Sequence, residues 1–310
     1  MKMTTSKSKI GTMTTKKPEI SGLLVVDKPQ GVTSHDVVAA IRGALHMKRV
    51  GHAGTLDPMA TGLLPVCFGD ATKFSADLLN AEKGYEARVR LGVTTNTGDA
   101  DGEVTGRAPT DGITLEMIRE AAESFLGDID QIPPMYSALK KDGVCLYHIA
   151  RKGGTVEREP RRVRILEMEV SDFEGSSFTM KTLVSKGTYI RVLAEDIGRK
   201  LGCGAHLTAL RRTRVGHLTL EGALTLENLR ALATPEAVRA KLSPADTLIT
   251  KLPRVDLSAE DEARFLLGQR LALGLGALAR VRVYGPCTGL LGTAAVSDRG
   301  VLEPERLIAH

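Results

Sequence analysis

Asp57 is the residue of this sequence best placed to do chemistry. It stands immediately before Pro58, with Gly51 and Gly54 just upstream and the apolar run Leu63-Leu64-Pro65-Val66 just downstream. Glycine opens backbone conformations closed to other residues, and proline biases the residue before it away from the helical region. A carboxylate is therefore presented from a stiff loop against an apolar wall. A lone Asp-Pro is most often a turn whose side chain caps its own backbone. Tyr85 stands at a strand start in Lys83-Gly84-Tyr85, and Arg191 closes Lys186-Gly187-Thr188-Tyr189-Ile190-Arg191. Alone, such a tyrosine is ordinarily half-buried core and such an arginine a solvated charge. Metal chemistry finds little support. Cys203 and His206 form a single Cys-x-x-His, too little for zinc. Aligning Asp99, Asp101 and Gly102 to a calcium loop puts Ala108 where its last ligand, a glutamate, is needed. No phosphate-cradling glycine loop of the Walker or dinucleotide type is present, and one carboxylate without metal ligands speaks against a hydrolase.

The elements that would position these groups follow from pattern. Gly22–Asp27 reads as a buried strand, and Ser34 as the cap of a helix with Val37, Val38, Ile41 and Leu45 inward. Leu63–Phe68 reads as a strand, and Asp70 as the cap of a short helix bearing Lys73, Phe74 and Leu78. Tyr85–Leu91 alternates as a strand, with Glu86, Arg88 and Arg90 on its polar face. Thr114 caps a helix with Met117, Ile118, Ala121 and Phe125 inward. Residues 161–170 and 178–185 read as a hairpin, 189–201 as a helix, 204–213 as a strand, and 224–231 as a closing helix. A composition shift near 243–252 reads as a linker. Beyond it Ser258 caps a helix over 259–267, and short strands follow over 280–284, 289–296 and 301–303. Strands outnumber helices and hairpins join several, so the fold class is α+β around a mixed, mostly antiparallel sheet with flanking helices.

The chain has 310 residues, about two-fifths apolar, enough for more than one domain. No run approaches a membrane span, and four scattered cysteines suit a cytoplasmic protein with reduced thiols. The net charge of +5 is concentrated: residues 1–20 carry +4, a Lys/Thr/Ser-rich head that reads as disordered. A basic head attracts RNA without selectivity.

The stretch Gly51-His52-Ala53-Gly54-Thr55-Leu56-Asp57-Pro58-Met59-Ala60-Thr61-Gly62-Leu63-Leu64 resembles the signature of the bacterial tRNA pseudouridine-55 synthases, the TruB family, at every fixed position. Lys83-Gly84-Tyr85, Ile132–Lys140 and Lys186–Arg191 resemble further family motifs in the family's order, so the resemblance covers residues 22 to about 215. It implies a pseudouridine-synthase-like catalytic domain over 21–245 and a small β-rich PUA-like RNA-binding domain over 250–310, directed toward the acceptor end of tRNA. It departs at Asn96, where the family pattern has aspartate, and carries over Asp99 only as support for the site.

By the same resemblance Asp57 is catalytic, Arg191 holds it ionised, and Tyr85 is the platform for a flipped uracil. Breaking a glycosidic bond and rejoining the base through carbon involves no redox step, so no cofactor is expected. Asp57 would attack the base, attack the sugar, or take a proton from the sugar. Flipping brings the bond within reach, and stacking is worth about 1–3 kcal/mol per base. Tyr189, Leu210 and His52 are implied substrate contacts. Lys28, Lys73, Arg158, Arg161, Arg162, Arg211 and Arg212 are candidates for phosphate contacts. The expected partner is the T stem-loop of tRNA, met by a monomer. The competing reading is a tRNA-binding or folding chaperone without catalysis.

Overall fold

The computed structural model describes residues 20–232 and 234–308. The basic head therefore lies outside the described residues, except for Ile20, which is buried. A ten-stranded sheet dominates the molecule. Its strands are β1 (Gly22–Lys28), β2 (Val50–His52), β3 (Thr61–Phe68), β4 (Lys83–Leu91), β5 (Gly127–Gln131), β6 (Arg161–Glu174), β7 (Ser177–Val184), β8 (Ala205–Val215), β9 (Leu218–Thr219) and β10 (Leu224–Thr225). The order across the sheet is β10-β1-β3-β8-β4-β7-β6-β5, with β2 on β3 and β9 on β8. Only β1–β10 and β3–β8 are parallel. Register sets Gly62 opposite Arg212, and Arg212 opposite Tyr85. A Cβ at Gly62 would lie 2.3 Å from the Arg212 carbonyl, at φ +98°, so only glycine fits this crossing.

One face of the sheet is buried under helices α1 (Ser34–Leu45), α3 (Leu115–Glu123) and α5 (Ile190–Lys200). Ile41, Ile118 and Leu193 share one core there with Ala87 and Val89 of β4. On the other face, Leu23, Leu63 and Cys67 pack against Phe74 and Leu78 of the stretch that ends in α2 (Ser75–Leu79). Arg90 and Glu86 of β4 remain exposed on that face, as an antiparallel sheet with one wet side allows.

Three local features differ from the sequence pattern because a neighbouring residue competes. Thr33, not Ser34, caps α1: its hydroxyl accepts from Asp36 N–H while Asp36 accepts from Thr33 N–H, a reciprocal box. Asp70 caps nothing. It lies inside a 3₁₀ turn (Gly69–Phe74) and pairs with Arg49 and Lys73. Met117 is exposed, because Ala122 rather than Met117 completes the buried stripe of α3.

The second sheet has five strands in the order β11-β13-β14-β15-β12: β11 (Arg254–Asp256), β12 (Leu271–Ala272), β13 (Leu278–Gly285), β14 (Gly289–Val296) and β15 (Val301–Leu307). The helix Ala259–Leu266 covers it through Phe265, and Ser258 caps that helix. Residues 243–252 are no free linker. They form a 3₁₀ turn (Ala245–Ile249) whose Leu248 and Ile249 are buried against the large sheet. Among the described residues no helix is long and apolar enough to cross a membrane.

Candidate active site

The loop between β2 and β3 carries Asp57, and three buried side chains fix its backbone. Ser34 Oγ accepts from Leu56 N–H at 2.8 Å and donates to the Leu56 carbonyl at 3.3 Å. Lys28, fully buried, donates through Nζ to the carbonyls of Pro29, Val32 and Pro58 at 2.9, 2.7 and 3.3 Å. Arg212 donates to the carbonyls of Leu63, Thr55 and Gly54 at 2.7, 3.2 and 3.1 Å. Two cations thus lie within the protein with carbonyls as their hydrogen-bond acceptors, which satisfies donors that burial would otherwise make costly. Burial pulls the Lys28 ammonium down to about 8, against the raising pull of Asp57.

Helix α5 supplies the partner of Asp57. Arg191 is 4% exposed at its side chain and fans its donors three ways: Nε to Asp57 Oδ2 at 3.0 Å, Nη1 to the Thr97 carbonyl at 2.7 Å, and Nη2 to the Tyr136 carbonyl at 2.8 Å. Asp99 Oδ2 lies 3.6 Å from the same Nε. The fork is held from several sides, so Asp57 is offered a donor fixed in place before any substrate arrives. Asp57 keeps 38% exposure, and no described group bonds its Oδ1. One carboxylate oxygen is anchored, the other has no hydrogen-bond partner among the described residues, and the residue lines a cleft.

That cleft measures about 400 Å³ and brings together Asp57, Tyr85, Tyr189, Arg191 and Leu210. Register explains the grouping: Tyr85 of β4 sits across from Arg212 of β8, two residues along from the Ala87–Leu210 pair and so on the same face. Burial pushes the Tyr189 phenol above its ordinary pKa. Three of the expected contacts lie outside the cleft lining. His52 is half-buried on β2, its Nδ1 has no hydrogen-bond partner among the described residues, and burial lowers its pKa. Asp99 is buried behind Arg191. Lys73 is 2.7 Å from Asp70 and donates to the carbonyl of Leu307, so its ammonium serves the junction between the two sheets.

The candidate phosphate contacts divide in the same way. Arg161 and Arg162 are exposed at the start of β6. Arg158 donates to the Pro133 carbonyl, and Arg211 pairs with Asp27 at 2.6 Å. Lys28 and Arg212 are corrected outright: both are buried in the frame of the Asp57 loop.

Several groups at the site carry no individual signal in the sequence, although Lys83 and Ser137 stand inside stretches that resemble family motifs. Gln131 of β5, 2% exposed, accepts from Tyr189 N–H at 2.8 Å and donates to the Tyr189 carbonyl at 3.1 Å. Tyr189 is the N-cap of α5 and has no side-chain cap bond of its own, so Gln131 fixes the start of the helix that carries Arg191. Lys83 lines the cleft and donates to the carbonyls of Leu78, Leu79 and Ala81; burial lowers its pKa to about 8. Ser137, buried in the cleft wall, has an Oγ without a hydrogen-bond partner among the described residues. Glu195, one turn after Arg191 in α5, is pushed up to about 7 by burial. Among the described residues no cluster of His, Cys, Asp and Glu is placed to hold a metal ion.

Comparison with known proteins adds the lineage. Residues 42–190 match the model of the TruB family pseudouridylate synthase N-terminal domain. Residues 191–250 match the tRNA pseudouridylate synthase B C-terminal domain, and 253–308 the C-terminal domain of pseudouridine synthase II TruB. The chain belongs to the TruB family. As a TruB protein it is an isomerase that converts uridine in tRNA to pseudouridine. It is 54% identical to tRNA pseudouridine synthase B of Ralstonia nicotianae over 300 residues, covering 94% of this chain and 95% of that one. Its identity to tRNA pseudouridine synthase B of Dechloromonas aromatica is 49% over 291 residues, covering 94% and 96%. Among solved structures it resembles a Cbf5-Nop10-Gar1 complex, with a TM-score of 0.70, 28% identity, and coverage of 93% and 85%. An H/ACA RNP bound to a substrate RNA containing 2'-deoxyuridine gives 0.70 at 26% identity, with the same coverage. The TruB match and the mixed sheet agree on fold class, with a β-rich unit at the C-terminus.

Proposed function

We propose that the chain isomerises the uridine at position 55 of tRNA, taken from the T stem-loop and flipped into the cleft beside Asp57. The observation that carries this reading is the Asp57–Arg191 contact at 3.0 Å inside a cleft walled by Tyr85 and Tyr189. In the reaction the N1–C1′ bond breaks and the freed uracil turns so that C5 faces C1′. The C5–C1′ bond then forms, C5 loses its proton, and N1 ends protonated. Asp57 supplies the negative charge that starts this sequence, through the oxygen that Arg191 leaves free. Arg191 holds and aims that carboxylate through the 3.0 Å contact to Oδ2. Tyr85 stacks on the uracil, and its phenol is the cleft group available for the C5 proton. Tyr189 and Leu210 close on the base. His52 packs against the nucleotides displaced from the loop, and Asp99 backs Arg191. Arg161 and Arg162 lie among the exposed cations for the RNA backbone. Residues 250–310 extend the footprint toward the acceptor end. The working unit in this reading is a monomer, with Asp57, Tyr85, Tyr189, Arg191 and Leu210 in one cleft.

The test is to incubate the protein with an unmodified tRNA transcript and map pseudouridine by position. A single modification at the T-loop uridine is the expected result. Modification elsewhere, or none in a folded transcript, overturns the assignment.

A further inference from the structure

The strand β13 of the small sheet reaches the body of the protein through Arg280. Its Nη1 donates to Asp77 Oδ1 at 2.7 Å, and its Nε donates to Glu305 Oε2 at 3.1 Å. The Arg280 and Asp77 side chains are only 27% and 19% exposed, so the pair is less screened than an ordinary surface pair. Asp77 belongs to α2, and the end of α2 is part of the cleft. The carbonyls of Leu78, Leu79 and Ala81 accept from Lys83 Nζ at 3.4, 2.7 and 2.7 Å. Leu79 and Lys83 line the cleft, and Tyr85 follows in the same strand. Asn80 Oδ1 accepts from Lys186 Nζ at 2.8 Å, at the head of the segment that carries Tyr189 and Arg191. Residues 77–83 therefore touch the small sheet at one end and both walls of the cleft at the other.

We propose that Arg280 is a positioning residue for catalysis: through Asp77 it holds segment 77–83, and with it the Tyr85 wall of the cleft. The C-terminal unit then serves the chemistry as well as any RNA it touches. This inference rests on the cleft being the uridine site. The unit has other fastenings, namely Lys73 to the Leu307 carbonyl, Arg306 to the Lys73 carbonyl, Tyr284 to Asp246, and Leu290 with Ile308 in the apolar cluster around Leu248. Losing Arg280 leaves the unit docked and releases one restraint on α2. Small misplacements of groups that hold a reacting base cost rate steeply, whereas RNA held outside the cleft still binds.

An isolated T-arm stem-loop too short to reach the C-terminal unit isolates this effect. Steady-state kinetics on that RNA would compare the unchanged protein with Arg280→Ala, Asp77→Asn, the double variant and Arg280→Lys, with urea midpoints measured alongside. Each of the first two should lower kcat about 10-fold with KM within about twofold. The double variant should be no worse than either single, because both remove one interaction. Arg280→Lys, which keeps the charge, should recover most of the rate. Should Arg280→Ala fail to fold, Asp77→Asn, which preserves shape, carries the measurement. Unchanged kcat in both singles, losses that multiply in the double, or an effect confined to KM overturns the proposal. If the unchanged protein leaves a folded stem-loop unmodified, the assignment of the cleft itself falls, and this inference with it.

Discussion

Replacing Gln131 with methionine keeps the volume of a 2% exposed side chain but removes both of its hydrogen bonds to Tyr189. The two losses differ in weight. The Tyr189 carbonyl also accepts from Leu193 N–H at 3.1 Å, so it keeps a partner. Tyr189 N–H has only Gln131 among the described residues, and is left unpaired at the helix start. An unsatisfied buried donor costs about 1–3 kcal/mol and a lost bond at a still-paired carbonyl about 0.5–1.5, which gives about 2–4 kcal/mol for Gln131→Met. Urea denaturation measures this as a lower midpoint at unchanged m-value. Because Tyr189 lines the cleft and opens α5, kcat/KM should fall about 10-fold as well. A variant that loses less than about 1 kcal/mol and retains full kcat/KM would refute the claim that Gln131 positions Tyr189.

Glu195→Gln tests the half-buried carboxyl one turn after Arg191. Its folded pKa of about 7 lies above the unfolded value, so the folded state binds the proton more tightly. The resulting stabilisation is full below the unfolded pKa and is lost as pH rises through about 7. The glutamine variant should therefore gain on the unchanged protein between pH 5 and 8, read as a difference in urea midpoint that grows with pH; a pH-independent difference contradicts it. Arg212→Lys replaces a fork that meets three carbonyls by one ammonium. Stranding two of those acceptors should cost about 2–4 kcal/mol and lower kcat, and a variant of full stability and rate counts against this role. Dialysis against EDTA should leave turnover of a transcript folded in monovalent salt unchanged; a persistent requirement for a divalent ion speaks against a cofactor-free reaction.

The grouping of Asp57, Tyr85, Tyr189, Arg191 and Leu210 in one cleft was legible because Asp57, Tyr85 and the Tyr189–Arg191 pair sit in three separate motifs and the family resemblance implied Leu210, and strand alternation put Tyr85 on the inward face of β4. What escaped depends on pairings between distant residues. Arg212 reads as a solvated charge in an Arg-Arg pair, yet the parallel pairing of β8 with β3 drives it beneath the Asp57 loop. Lys28 is hidden for the same reason, since its acceptors are backbone carbonyls, which every sequence offers equally. Gln131 carries no motif at all; its amide matters only because β5 ends where α5 begins. Residues 243–252 looked like a linker by composition, but Leu248 and Ile249 find a hydrophobic surface that only the folded sheet provides.

The central claim is that Asp57 performs the chemistry and the rest of the cleft binds. Asp57→Asn keeps the size of the side chain and removes the charge that attacks or abstracts, while Arg191 remains held by the carbonyls of Thr97 and Tyr136. A transition-state interaction that is lost lowers turnover, not ground-state binding. The measurement is pseudouridine formed in a tRNA transcript by Asp57→Asn, paired with its gel-shift affinity for the same RNA. No detectable product at near-normal affinity is the result the account predicts. Appreciable turnover, with deamidation back to aspartate excluded by mass spectrometry, would contradict it and remove Asp57 from the catalytic role.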